Sequence, residues 1–180
     1  YRTNETATLY SRIEFTLYPL PLSRFAAVLT CNQTKRNNNT MSTNRQWQLA
    51  QRPTGDIDAN TFRLCDTAIP ECDESKQEVL LKTLYLSFEA AMRGWLDDRR
   101  SYMPPVDIGE PMRAAGVAQV VASGNKDFPV GSLVMGMTGW QEYLCFSLAE
   151  AADWKALPEG TPPNLPLSIF GGTSMTAYFG

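Results

Sequence analysis

The chain has 180 residues, 43% of them hydrophobic and 19% charged, which suffices for one globular domain with a sizeable core. Its formal net charge of −3, with no excess of Lys and Arg, argues against nucleic acid as the main partner. The complete absence of histidine excludes Ser-His-Asp and Cys-His catalysis and any metal site that needs an imidazole.

Residues 1–43 are predicted to be an extension, either disordered or a targeting segment. The stretch 31–46 is polar and rich in Asn, so it buries too little apolar surface to fold alone. Met41 resembles a natural start, which leaves a targeting peptide and translated non-coding sequence both open for the residues before it. The expected location is the cytoplasm, with a targeting role of this extension left open.

The remainder predicts a series of short strands separated by turns. Val79–Leu86 is the clearest strand, and because both of its faces are largely apolar we expect it to be central and buried. Gly131 and Gly139 stand where tight turns need a positive φ. The predicted strands cover residues 46–50, 62–66, 79–86, 116–122, 132–137 and 140–146, with a short helix at Glu89–Trp95. This order is typical of an all-β barrel or sandwich.

The last part of the chain changes character. Residues 158–166 form a proline-rich connector, and residues 167–179 have a helical pattern that Gly171 and Gly172 are expected to break. An apolar helix with little left to pack against is what a piece of a larger protein would show. No glycine-rich phosphate fingerprint is visible, and no run approaches the roughly 20 apolar residues of a membrane span, so no membrane association is expected.

The four cysteines and the tyrosines are the remaining candidates for chemistry. Cys31, Cys65, Cys72 and Cys145 form no C-x-x-C pair and are interpreted as free thiols in a reducing compartment rather than a zinc site. Tyrosines such as Tyr102 and Tyr143 can donate a hydrogen bond to a carbonyl, although packing is the better interpretation of any one of them. The run from Trp140 to Tyr143 alternates across a strand, so one face lines either a pocket or the core. Pattern alone names no reaction.

Ten short runs, in order, carry a resemblance to a known family. They are residues 44–47 (NRQW), 52–55 (RPTG), 79–87 (VLLKTLYLS), 92–94 (MRG), 101–105 (SYMPP), 108–110 (IGE), 116–117 (GV), 130–131 (VG), 139–143 (GWQEY) and 176–180 (TAYFG). Residues 44–180 thereby resemble the N-terminal part of the zinc-independent medium-chain dehydrogenase/reductases, in the branch of prostaglandin, alkenal double-bond and curcumin reductases.

The resemblance implies a mainly β fold with short helices. Residues 44–165 would be a GroES-like partial β-barrel, the N-terminal domain of a two-domain reductase, and residues 166–180 would begin the helix that leads to a Rossmann domain beyond the chain. It also implies NADPH as cofactor, hydride transfer to the β-carbon of an α,β-unsaturated aldehyde or ketone, and a homodimer when full length. No metal is needed, and the Cys and His ligands that zinc-dependent relatives carry near Leu84–Arg93 are missing here.

Site residues carry over only in part, and no catalytic residue is predicted. Thr176 and Gly172 are expected near the nicotinamide, and Ala91, Tyr102 and Tyr143 near the substrate. Ala91 stands where the family carries a substrate-facing Tyr, and Gly172 stands where it carries Met. These departures leave two alternatives open, a quinone oxidoreductase of the same superfamily and a catalytically inactive barrel that acts as an interaction module.

Overall fold

The computed structural model describes residues 43–179, and every structural statement below refers to that range. The predictions for residues 1–42, including most of the extension, lie outside it. The strands are β1 (Thr43–Leu49), β2 (Phe62–Ala68), β3 (Val79–Leu86), β4 (Ala115–Ser123), β5 (Leu133–Met137), β6 (Tyr143–Phe146) and β7 (Lys155–Ala156). Short 3₁₀-helices cover Glu74–Lys76, Ala90–Leu96, Leu148–Asp153 and Leu165–Leu167, and helix α1 covers Gly172–Phe179.

The strands form two antiparallel sheets. One is the hairpin of β1 and β2, in which Thr43 lies opposite Ala68 and Leu49 opposite Phe62. The other has five strands in the order β6-β3-β4-β5-β7. The prediction that Val79–Leu86 is a central strand is confirmed, because β3 pairs with β4 on one side and with β6 on the other.

One hydrophobic core lies against the five-stranded sheet. Val79 and Leu81 alternate along β3 and are fully buried, as the two-residue period of a strand requires. The ring of Phe146 stacks on that of Trp154 at 5.1 Å between centroids and meets Phe128 edge-on at 5.2 Å. Burying each such side chain contributes about 1.5–3 kcal/mol relative to leaving it in water.

A second core joins β1 to the 3₁₀-helix Ala90–Leu96. Its fully or nearly fully buried members are Leu49, Met92, Trp95, Leu96, Val106, Met112 and Ala114. Met92 and Trp95 are three residues apart and share one side of the 3₁₀-helix, and Leu96 at its end is buried as well, so these three residues dock the helix on the hairpin. This second core forms the floor of the candidate site.

The predicted mainly β fold with short helices is confirmed, and the element bounds differ in instructive ways. The predicted last strand, 140–146, begins only at Tyr143, because the backbone of Trp140 pairs instead with Trp47 and Met112. The helical pattern of residues 167–179 is interrupted as predicted, because residues 168–171 form a turn and a bend; Gly171 lies in this interruption and Gly172 begins α1. Gly131 and Gly139 have φ of 90° and 64°, as their turns predicted. Three elements were not predicted, because their sequences have no periodic apolar pattern: strand β7 and the 3₁₀-helices Glu74–Lys76 and Leu148–Asp153.

The interpretation of the cysteines as free thiols is wrong for two of them. Cys72 and Cys145 form a disulfide with 6.1 Å between their Cα atoms, across a sequence separation of 73 residues. They meet because β6 pairs with β3, which places Cys145 opposite Leu80, close to where the chain enters β3. Cys65 is free, and Cys31 lies outside the described residues. None of the helices described is long and apolar enough to cross a membrane.

A glycine at the sheet surface tests the packing of the first core. A Cβ added to Gly136 on β5 would lie 2.5 Å from Cε3 of Trp154. We expect Gly136→Ala to lower the free energy of unfolding by about 1–3 kcal/mol, because the buried indole must shift. Gly55→Ala is the matched control, since nothing lies within 4 Å of its Cβ position. Urea unfolding followed by Trp fluorescence measures both, and equal stabilities would contradict this account of the core.

Candidate functional site

A largely apolar cavity of about 300 Å³ lies above the second core. We call it the Trp140 cavity. Its lining residues are Ile57, Phe62, Phe88, Glu89, Ala90, Met92, Arg93, Leu96, Met112 and Trp140. A concave apolar surface with a few polar groups at its edge is the usual form of a small-molecule site.

Three aromatic rings form one wall of this cavity. The ring centroid of Trp140 lies 5.0 Å from that of Phe62 and 5.2 Å from that of Phe88, with the planes tilted by 43° and 44°. Phe88 lies two residues beyond the end of β3 and is 69% exposed, so its ring is open to a ligand. The tilted rings present π-faces and edges to the cavity, which suits a flat conjugated ligand.

The backbone of Trp140 is fixed from both sides. Its N–H donates to the carbonyl of Met112 at 2.8 Å, and its carbonyl accepts from the N–H of Trp47 at 2.8 Å. Its Nε1–H is buried and has no hydrogen-bond partner among the described residues. The backbone bonds therefore fix the position from which the indole ring lines the cavity.

An ion pair and backbone contacts hold the opposite side of the cavity. The guanidinium of Arg93 donates to a carboxylate oxygen of Asp97 at 2.6 Å and to the carbonyl of Gly55 at 2.7 Å. Arg52 donates to the carbonyl of Leu96 at 2.9 Å. The hydrogen bond from Arg93 lowers the pKa of Asp97, and the positive charges of Arg93 and Arg99 add to this effect. These contacts fasten the loop after β1 to the 3₁₀-helix Ala90–Leu96.

A second cavity, of about 320 Å³, is lined mainly by residues between Pro105 and Gln141. It is more polar, because Asp107, Glu110, Arg113 and Gln141 all border it. The guanidinium of Arg113 is already engaged, since it donates to the carbonyl of Pro104 at 2.8 Å and lies over the ring of Trp95. Because the guanidinium of Arg113 already has its partners and no aromatic ring lines this cavity, it is a poorer site for a conjugated ligand than the Trp140 cavity.

Comparison with known proteins gives this domain a family. Residues 45–153 match the family described as the N-terminal domain of oxidoreductase. The chain belongs to this family. The predicted resemblance to the N-terminal part of zinc-independent medium-chain reductases is thereby confirmed.

Relatives and solved structures agree with this membership. The NADPH-dependent curcumin reductase of Escherichia coli is 39% identical over 137 residues, which are 76% of this chain and 39% of that protein. The NADP-dependent 2-alkenal reductase of Nicotiana tabacum is 36% identical over 59% of this chain and 31% of its own length. The structure of CurA from Vibrio vulnificus in complex with NADPH aligns with a TM-score of 0.67 at 36% identity, covering 75% of this chain and 39% of that one. The chain thus spans about two fifths of the length of two of these proteins and less of the third.

The three predicted substrate residues are not among the residues that line the Trp140 cavity. Ala91 is exposed, and its neighbours Ala90 and Met92 line the cavity while it does not. Tyr102 is 74% exposed, and its hydroxyl accepts a hydrogen bond of 2.9 Å from Nε1 of Trp95. Tyr143 is half-buried on β6, with the ammonium of Lys82 at 5.9 Å from its ring centroid. Contact of these three with a substrate stays a prediction.

The predicted cofactor residues both lie on α1. Gly172 begins the helix and has open space around its Cβ position, and the exposed Thr176 donates its hydroxyl to the carbonyl of Gly172 at 3.0 Å. The space at Gly172 leaves room for a ligand at this end of α1, and contact of Gly172 and Thr176 with the nicotinamide stays a prediction. Residues 43–179 contain no glycine-rich turn that opens a helix after a strand, so they do not fit the phosphates of the dinucleotide.

Sequence reasoning missed most of the residues that line the cavity. Phe88 and Phe62 gave no signal beyond being apolar, because their meeting depends on which strands pair. Trp140 was singled out only within the run of residues 139–143, as one face of a strand that lines either a pocket or the core. It lines the cavity, but from a segment that precedes the strand.

The ion pair beside the cavity predicts a pH dependence. Because the pKa of Asp97 is lowered in the folded protein, its contribution to stability is present above the ordinary carboxyl pKa and is lost as the pH falls through the lowered value. We expect Asp97→Asn to have a lower Tm than the wild type at pH 7, with the difference vanishing in acid. The exposed neighbour Asp98, replaced by Asn, is the control. A Tm difference that stays constant down to acidic pH would contradict the assignment.

Proposed function

We propose that the complete protein carrying this domain is an NADPH-dependent reductase of the carbon–carbon double bond of α,β-unsaturated aldehydes and ketones. The observation that carries the proposal is the Trp140 cavity in a member of this oxidoreductase family. Its aromatic wall and apolar floor suit a flat, conjugated carbonyl compound. The names of two relatives, a curcumin reductase and a 2-alkenal reductase, support the same class of reaction.

In this proposal the described residues bind and orient the acceptor. The rings of Phe62, Phe88 and Trp140 pack against its conjugated plane and exclude water from one side. When bound, NADPH supplies the hydride that adds to the β-carbon, which leaves an enolate to be protonated. The open edge of α1 at Gly172 and Thr176 is where this domain would meet the nicotinamide.

This domain offers little acid chemistry of its own. Glu89 is the one carboxylate among the residues that line the Trp140 cavity, and no tyrosine, serine, threonine or lysine lines it. The resemblance puts a Tyr at the position of Ala91, where this chain has only a methyl group. We infer that proton delivery comes from water or from residues outside this domain, and that turnover is slower than a tyrosine would allow.

Cytoplasmic location and a homodimer of the complete protein belong to the same proposal. Both follow from the resemblance alone. Size-exclusion chromatography with light scattering on the complete protein tests the dimer, and a fluorescent fusion that retains residues 1–43 tests the location.

The reductase proposal is tested by NADPH oxidation with a long-chain 2-alkenal. We expect turnover by the protein from the longest reading frame that contains this chain, and none by residues 43–180 alone, because the resemblance implies that a separate Rossmann domain binds the phosphates of the cofactor. A quinone offered at the same concentration distinguishes the related oxidoreductase. Turnover of the quinone alone would replace the proposal, and no turnover of either acceptor would favour an inactive interaction module.

Ala91→Tyr probes the missing hydrogen-bond donor. In the complete protein we expect kcat for the 2-alkenal to rise at least about tenfold, because one well-placed donor stabilises a developing enolate. Ala91→Phe adds the same ring without the hydroxyl and serves as the matched control. An equal effect of both variants on kcat would mean that the ring only reshapes the cavity edge. It would contradict the proposal that a hydrogen-bond donor at this position stabilises the enolate.

A further inference from the structure

A cluster of two cysteines and a glutamate lies at the entry to β3, and the candidate site does not use it. Cys72, Glu78 and Cys145 are all half-buried, and their sulfur and carboxylate atoms lie within 4.8 Å of one another. Among the described residues this is the one group of three potential metal ligands, but the disulfide between Cys72 and Cys145 occupies both sulfur atoms. The chemistry that the cluster offers is therefore that of a thiol pair.

The disulfide is built on ordinary backbone geometry. Its Cα–Cα separation of 6.1 Å lies within the usual range for the bond. Cys145 sits inside β6 opposite Leu80, so its position is fixed by the sheet. Cys72 lies in the segment that leads into β3. The bond thus ties this segment to the neighbouring strand.

Glu78 gives the reduced state a partner as well. Its Oε2 accepts the backbone N–H of Asp73 at 2.8 Å and lies 3.9 Å from Sγ of Cys145. After reduction, the thiol of Cys145 has a proton that it can donate to this carboxylate. Both oxidation states therefore have a favourable arrangement.

The rest of the segment is held independently of the disulfide. The backbone N–H of Gly124 donates to the carbonyl of Glu78 at 3.0 Å, and a Cβ on Gly124 would lie only 1.9 Å from the carbonyl oxygen of Glu74. This close backbone packing remains when the sulfur–sulfur bond opens. Cys65, the free thiol, lies in the other sheet opposite Gln46. Opening of the bond thus stays local, and Cys65 lies in a different sheet from Cys145.

We propose that Cys72 and Cys145 form a reversible thiol–disulfide site, poised by Glu78, that exchanges with small dithiol reductants. In the forward step the dithiol gives two electrons and two protons: the bond between the two sulfurs breaks, Cys72 and Cys145 each become a thiol, and the reductant becomes its cyclic disulfide. Partial exposure of both cysteines gives such a reagent access. Reduction frees the segment before β3 from β6 and leaves the remaining contacts of the sheet in place. This proposal does not rest on the reductase function.

The first experiment is a redox titration of the 180-residue chain in mixtures of reduced and oxidised dithiothreitol. After alkylation and digestion with trypsin, mass spectrometry follows the peptide of residues 64–76 linked to that of residues 127–155. Residues 64–76 contain both Cys65 and Cys72, so the titration is repeated with Cys65→Ser. We expect the linked pair to disappear and return reversibly, unchanged by this substitution. A link that is lost in Cys65→Ser, a link to Cys31, or no link at all would overturn the proposal.

Thermal unfolding shows whether the bond fastens the fold. The bond closes a loop of 73 residues, so we expect Tm to fall by about 10 °C on reduction of the wild type and of Cys65→Ser. Cys72→Ser should show the lower Tm both with and without reductant. If Cys72→Ser does not fold, the wild-type shift and the peptide link decide the matter together. A Tm of the wild type that does not respond to reductant would contradict the proposal.

Glu78→Gln tests the part of the carboxylate. We expect the equilibrium between dithiol and disulfide to move about fivefold toward the disulfide, because a hydrogen bond to a charged acceptor is stronger than one to a neutral amide. Glu74→Gln, an exposed carboxylate on the same loop, is the control and should leave the equilibrium unchanged. Equal equilibria in both variants and the wild type would remove Glu78 from the proposed site.

Discussion

The antiparallel pairing of β3 with both β4 and β6 is the constraint on which the described domain depends. It puts apolar side chains on the two faces of one strand and places a distant segment of the chain beside it. Without the partner on each side, the backbone of β3 would bury unpaired polar groups, which costs more than the side chains gain. The Trp140 cavity lies at one end of the β3–β6 pairing, and the disulfide between Cys72 and Cys145 lies at the other.

The aromatic wall follows from the direction of the strands. Because β3 and β6 run antiparallel, the residue after the end of β3 meets the residues before the start of β6. Lys82 lies opposite Tyr143, and the N–H of Thr83 donates to the carbonyl of Glu142 at 2.8 Å. The two segments therefore stay adjacent from these pairs toward Phe88 and Trp140. Their rings meet at 5.2 Å for that reason, although neither residue belongs to a strand.

Local pattern predicted the strands well and the site poorly, and the physics explains the difference. The alternation of Val79 and Leu81 reports burial within one strand, and a glycine such as Gly139 reports a turn that needs positive φ, so both are readable from a few residues. Contact between Phe88 and Trp140, or between Cys72 and Cys145, depends on strand order over a long separation, which no short window contains. The interpretation of Cys72 and Cys145 as free thiols was wrong for this reason. The resemblance supplied the fold and family, but Ala91, Tyr102 and Tyr143 are not among the residues that line the cavity.

The two ends of the β3–β6 pairing have different mechanical roles. Cys145 is opposite Leu80 near the start of β3, whereas the cavity lies beyond its end, with the paired residues Leu81 and Lys82 in between. Four ladder pairs and the buried ring of Phe146 stiffen this stretch, so opening the disulfide releases the segment before β3 without repacking the wall. Coupling between the two would need a second arrangement of the sheet, and the structure shows one register for β3 and β6. The register of β3 and β6 thus positions both the Trp140 cavity and the pair Cys72 and Cys145, and the two are chemically independent of each other.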